Sequence, residues 1–90
     1  MKFAIIGAGN MGGALARGLA KGSLVEVSDI TVADPSREKT DALLKEFPGM
    51  KIASGNKEAV QGVDVVLFAV KPWLLQEVID RQFAVYAEEN

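Results

Sequence analysis

The sequence predicts an α/β fold, a doubly wound parallel sheet with helices on both faces, and three observations carry that prediction. Apolar runs alternate with helical patterns in the order β-α-β-α-β-α-β-α, which implies parallel strands joined by helical crossovers. The runs Phe3 to Ile6 and Asp64 to Val70 lack polar alternation, as strands buried on both faces do. A glycine cluster, Gly7-Ala8-Gly9-Asn10-Met11-Gly12, stands between the first run and the first helical pattern.

The elements follow in order. A first strand is expected over residues 2–6, closed by Gly7. From Asn10 to Lys21, Met11, Leu15 and Leu19 recur at every fourth position with Ala14 and Gly18 beside them and Arg17 turned away, which predicts a helix with a small-residue face. Ile30, Thr31 and Val32 are β-branched and predict a second strand over Asp29 to Ala33, stopped by Asp34-Pro35. Thr40, Leu43, Leu44 and Phe47 form one stripe of a second helix over about 36–47, which Pro48-Gly49 terminates. Lys51-Ile52-Ala53 reads as a short third strand, Asn56 to Gln61 as a short helix, and Asp64 to Val70 as the central fourth strand. Pro72 suits the first turn of a last helix carrying Trp73, Leu74, Leu75, Val78 and Ile79. Right-handed crossovers then give three layers, α/β/α, with strand order 3-2-1-4 and a ligand crevice at the carboxyl ends of strands one and four. Gln82 to Ala87 is either a fifth strand or a divergent tail.

Composition narrows the chemistry. Ninety residues support one core. The absence of cysteine and histidine excludes disulfides, thiolate nucleophiles, thiolate metal sites and the Ser-His-Asp triad. A net charge of −2 with scattered basic residues gives no footprint for nucleic acid or anionic membrane. The apolar start is too short for a signal-peptide core or a membrane span, so a cytoplasmic location is expected.

Gly7-x-Gly9-x-x-Gly12 gains its meaning from its position after a predicted strand and before a predicted helix. Gly7 permits the tight turn, Gly9 lets backbone approach a pyrophosphate, and Gly12 lets the helix pack close to the sheet. The helix N–H groups of Asn10 and Met11 then face the phosphates, as in Rossmann-type binding of NADH or NADPH. Asp34, at the end of strand two, is placed to accept hydrogen bonds from the adenosine ribose, which favours NADH, or to cap the second helix with Pro35 at its first position. Ser36 and Arg37 could instead hold the 2′-phosphate of NADPH, or Arg37 could be a solvated helix residue. Asn56 either reaches the ribose or caps the short helix. Lys71, at a helix entrance where a cation is not favoured, borders the nicotinamide or a substrate carboxylate, with the Ala69-Val70 backbone against the ring; the alternative is a solvated lysine.

The run from Phe3 to Leu19, with its Gly-Asn-Met-Gly-Gly core, and Ala69-Val70-Lys71-Pro72 together resemble the cofactor domain of pyrroline-5-carboxylate reductase. The resemblance covers nearly all of residues 1–80. It implies hydride transfer from NADPH or NADH to a cyclic imine in proline biosynthesis, with Gly9 to Met11, Asn56 and Ala69 to Pro72 contacting the cofactor. The glycine turn alone is shared with coenzyme-F420-dependent NADP oxidoreductases. Asp34-Pro35-Ser36-Arg37 departs from the Asn-Arg or Ser-rich stretch that members carry there, which puts the usual NADPH preference in doubt.

The expected organisation is an NAD(P)-binding domain over 1–80 and a tail or fifth strand over 81–90, with the helical domain that in the family builds the dimer and much of the substrate pocket absent. No residue stands out as a proton donor, so the chain is expected to be inactive alone. Strand four then lacks its usual neighbour, and its edge favours a homo-oligomer unless Gln82 to Ala87 covers it. The competing readings are a stand-alone dinucleotide-binding or redox-sensing module and a fold remnant with a vacant site.

Overall fold

A computed structural model describes residues 1–23 and 25–69 of the chain. The expected last helix from Pro72, the alternatives for Gln82 to Ala87, and the candidate residues Val70, Lys71 and Pro72 lie outside the described residues.

Four parallel strands, β1 (Phe3–Ile6), β2 (Ile30–Ala33), β3 (Lys51–Ile52) and β4 (Val65–Phe68), stand in the order β3-β2-β1-β4, as the alternation predicts. The register sets Ile5 opposite Val32 on one side and Leu67 on the other. Because side chains alternate across a pleated strand, this register sorts the apolar residues into two cores. One joins Ile5, Ile30 and Val32 to Leu43 and Met50; the other joins Ala4, Ile6 and Ala33 to Ala53 and Ala59. Helices α1 (Asn10–Lys21) and α2 (Arg37–Glu46) cover the first core and the short α3 (Asn56–Ala59) the second. A single 3₁₀ turn at Val27–Asp29 precedes β2.

The strands are short, β1 ending before Gly7 and β2 before Asp34, but the ladder runs one residue further at three places. Gly7 donates to the Ala33 carbonyl at 2.8 Å, Ala53 to Val32 at 2.9 Å, and Ala69 to Ile6 at 2.8 Å. The other end is tied too: Lys2 donates its backbone N–H to the Asp64 carboxylate at 2.7 Å while the Asp64 N–H returns to the Lys2 carbonyl at 2.9 Å.

The second helix matches its predicted stripe, with Thr40 and Leu43 buried and Leu44 and Phe47 half-buried. Glu38 in its first turn and Lys45 in its last complement the helix dipole. The first helix differs. Met11 is 67% exposed and Leu15 37% exposed, whereas Gly12, Gly13 and Ala16 face the sheet. A helix lying this close to β1 has room only for side chains no larger than a methyl, so sterics override the larger apolar stripe. Arg17 is likewise not simply turned away: its Nε donates to Glu46 of α2 at 2.8 Å.

Candidate nucleotide-binding site

All four strands run the same way, so their carboxyl ends share one edge, and the loops there bring the candidate residues together. Gly7 adopts φ +108°, a left-handed conformation that only glycine takes without strain. This turn lays α1 against β1 so closely that a Cβ on Gly12 would stand 1.9 Å from the Gly7 carbonyl oxygen and 3.2 Å from the Ala69 Cβ. Gly7, Gly12 and Ala69 thus meet where β1 and β4 end.

Gly9 is a different case. It caps α1 in extended backbone (φ −72°, ψ −156°) that any residue adopts, and a Cβ built on it would meet nothing within 4 Å. Nothing among the described residues requires glycine there. The first helical N–H groups, those of Asn10, Met11 and Gly12, have no carbonyl one turn back to bond. Gly13 is the first to find one, donating to the Gly9 carbonyl at 2.7 Å. No side chain caps this end and no acidic residue occupies its first turn. An uncapped helix start with a side-chain-free approach fits a pyrophosphate: the donors converge and the dipole favours negative charge.

Beside the glycine turn, at the end of β2, Asp34 neither caps α2 nor stands free. Its Oδ2 accepts the Ala8 N–H at 2.7 Å and its Oδ1 the Ser36 N–H at 2.8 Å. The cap of α2 is Ser36 and its first residue Arg37, so the alternative with Asp34 as cap and Pro35 in the first position is corrected. A carboxylate reaching its own backbone two residues on makes an Asx turn, which delays the helix by two residues. The Ser36 hydroxyl and the exposed Arg37 guanidinium have no hydrogen-bond partner among the described residues.

Asn56 begins α3 at the same edge, half-buried, but the cap is Gly55 and no side chain bonds the helix start, so the capping reading for Asn56 is corrected as well. Two features were not foreseen in the sequence: the Ala8 N–H as the partner of Asp34, and the Arg17 guanidinium lying over Gly13, where a Cβ would meet its Nη1 at 2.8 Å. Neither contact carries a local sequence signal, since each joins residues distant in the chain or packed only after folding.

The fold recurs in a solved structure. The crystal structure of Plasmodium falciparum pyrroline carboxylate reductase with NADP bound superposes with a TM-score of 0.72 at 26% identity, over 89% of this chain and 28% of that one. Pyrroline-5-carboxylate reductase of Escherichia coli is 37% identical over 78 residues, covering 87% of this chain and 29% of its own. Pyrroline-5-carboxylate reductase 2 of Macaca fascicularis is 32% identical over 80 residues, covering 89% and 25%. The family model for NADP oxidoreductase, coenzyme F420-dependent, matches residues 2–88. The chain belongs to that family. The resemblance read from Phe3 to Leu19 and Ala69 to Pro72 is borne out for the N-terminal NAD(P)-binding region of pyrroline-5-carboxylate reductases. The chain spans only about a quarter to a third of these relatives' length (25% and 29%).

Proposed function

We propose that this chain holds NADPH, in preference to NADH, for a pyrroline-5-carboxylate reductase-like reduction of a cyclic imine whose substrate pocket is built by residues outside it. The observation that carries the binding is the contrast between two glycines. Gly12 is demanded by packing; Gly9 is demanded by nothing among the described residues, and its missing Cβ leaves room at the uncapped start of α1.

The cofactor, when bound, supplies a hydride to the imine carbon. The chain's own residues do the rest. Asn10, Met11 and Gly12 offer N–H groups to the pyrophosphate, and the Ala69 backbone flanks the crevice between β1 and β4. The 2′-phosphate goes to Ser36 and Arg37, whose polar groups stand uncommitted at the start of α2 while both Asp34 oxygens are engaged. A guanidinium at a helix N-terminus is disfavoured by the dipole unless an anion joins it, which supports the preference for NADPH.

Titration of the purified protein with NADPH and NADH, beside Gly9→Val, tests the reading. The variant is expected to melt like wild type and to lose both cofactors. Unchanged affinity in Gly9→Val overturns the cradle; no binding by wild type overturns the function and leaves a fold remnant.

A further inference from the structure

We infer that Asp34 is a positioning residue for the glycine turn, a latch that presets the phosphate cradle before the cofactor arrives, and not a ligand of the adenosine ribose. The inference rests on the binding proposed above and concerns how that site is made. The deciding juxtaposition is between two pairs of consecutive residues. The Gly7 N–H is held by the Ala33 carbonyl and the next N–H, of Ala8, by the carboxylate of the next residue, Asp34. The first bond extends the sheet. The second continues it with a side chain just beyond the end of β2.

The result is a division of the turn. The N–H groups of Gly7 and Ala8 are consumed inside the protein, and those of Asn10, Met11 and Gly12 are left for a ligand. Ala8 is only 7% exposed, so its N–H has no adequate substitute partner in solvent if the carboxylate is removed. The turn would then rotate to rescue that donor, and the three free N–H groups would lose their common aim. The second oxygen acts in the same sense. By taking the Ser36 N–H at 2.8 Å it holds the β2–α2 loop that carries Ser36 and Arg37 at a set distance from the turn. One carboxylate thus fixes the pyrophosphate side and the 2′ side of the site relative to each other. Both bonds are short, as expected for backbone donors facing a carboxylate.

A latch and a ribose ligand predict different patterns of loss. Wild type, Asp34→Ala and Asp34→Asn are titrated with NADPH, NADH and the NADH analogue lacking both adenosine-ribose hydroxyls, and backbone amide spectra of the unliganded proteins are recorded by NMR. Asp34→Asn keeps one good acceptor and guards against a misfolded alanine variant. The latch predicts that Asp34→Ala weakens NADH and its dihydroxyl-free analogue by the same factor, roughly 10- to 100-fold, and NADPH by at least as much, with Asp34→Asn between it and wild type. It also predicts that the Ala8 and Ser36 amide resonances shift in the unliganded variants, which a merely destabilised core would not single out. A loss confined to NADH and absent for the dihydroxyl-free analogue overturns the latch in favour of a ribose contact. Unmoved Ala8 and Ser36 amides in Asp34→Ala overturn it outright. If wild type binds none of the ligands, the binding proposal fails and the amide shifts alone decide whether the latch exists.

Discussion

Replacing Gly12 by alanine adds one methyl group at the tightest point of the molecule. That carbon would lie 1.9 Å from the Gly7 carbonyl oxygen, where Cβ contacts under 3.0 Å essentially never occur, so the helix and strand must part by roughly 1 Å. The obstacle is backbone. Gly7 sits at φ +108°, and its N–H is fixed to Ala33 at 2.8 Å, so it cannot retreat without breaking the ladder. Overpacking a core costs about 1–3 kcal/mol and more when nothing flexible can yield, which places Gly12→Ala at or above about 3 kcal/mol. A domain of this length has about 5–13 kcal/mol in total. Each kcal/mol moves the midpoint by about 4–8 °C, so a fall of about 12–24 °C is expected by circular dichroism, with a matching loss in urea. Gly9→Ala is the internal control, since its Cβ enters open space and its backbone is unstrained. Its midpoint should stay within about 0.5 kcal/mol of wild type while cofactor affinity falls. A Gly12→Ala midpoint within about 2 °C of wild type would refute the close-approach account of the turn.

Other outcomes follow from the same geometry. Arg37→Ala should weaken NADPH by about 10- to 100-fold, the worth of a lost charge-assisted hydrogen bond, and leave NADH nearly unchanged; equal losses in calorimetric titrations would make Arg37 a bystander. Leu43 is 1% exposed in the larger core, so Leu43→Ala should cost about 2–5 kcal/mol in denaturant unfolding without altering which cofactor is preferred. Arg17→Ala, which breaks an ion pair with side chains 39% and 42% exposed, should cost at most about 1 kcal/mol, less at high salt. If the substrate pocket lies outside these residues, as proposed, the 90 residues saturated with NADPH should not reduce pyrroline-5-carboxylate, because orienting the imine against the nicotinamide is worth about 7–11 kcal/mol of barrier. Cofactor oxidation comparable to that of a full-length relative would overturn that division.

Much of the molecule was legible in sequence because a few residues have one physical use. Gly7-x-Gly9-x-x-Gly12 between an apolar run and a helical pattern located the turn from β1 into α1, and the β-branched stretch Ile30 to Val32 located β2. Strand order followed from alternation and handedness alone. Helix α1 misled because period analysis rewards large side chains, whereas close packing selected Gly12, Gly13 and Ala16. Asp34 was placed at the correct edge but its partners were not legible. A backbone N–H 26 residues earlier carries no side-chain signature, and only the folded turn brings it within reach. Asn56 failed as a cap for a simpler reason, since Gly55 can itself precede a helix.

The two faces of the sheet are unequally furnished, and that inequality has a mechanical meaning. Among the described residues, the face under α1 and α2 is filled by Ile5, Ile30, Val32, Leu43 and Met50, whereas the α3 face is mostly alanine, with Ile6 as its one large buried member. Less apolar area holds the α3 face, and α3 itself spans only Asn56–Ala59. Sub-global opening should therefore begin there, with Ala59 and Val60 exchanging their amide protons long before Ile5 and Val32, which wait for global unfolding. The molecule then behaves as a stiff jaw and a compliant one. The stiff side carries the glycine turn proposed to meet the phosphates, and the compliant side carries the loop that ends at Asn56.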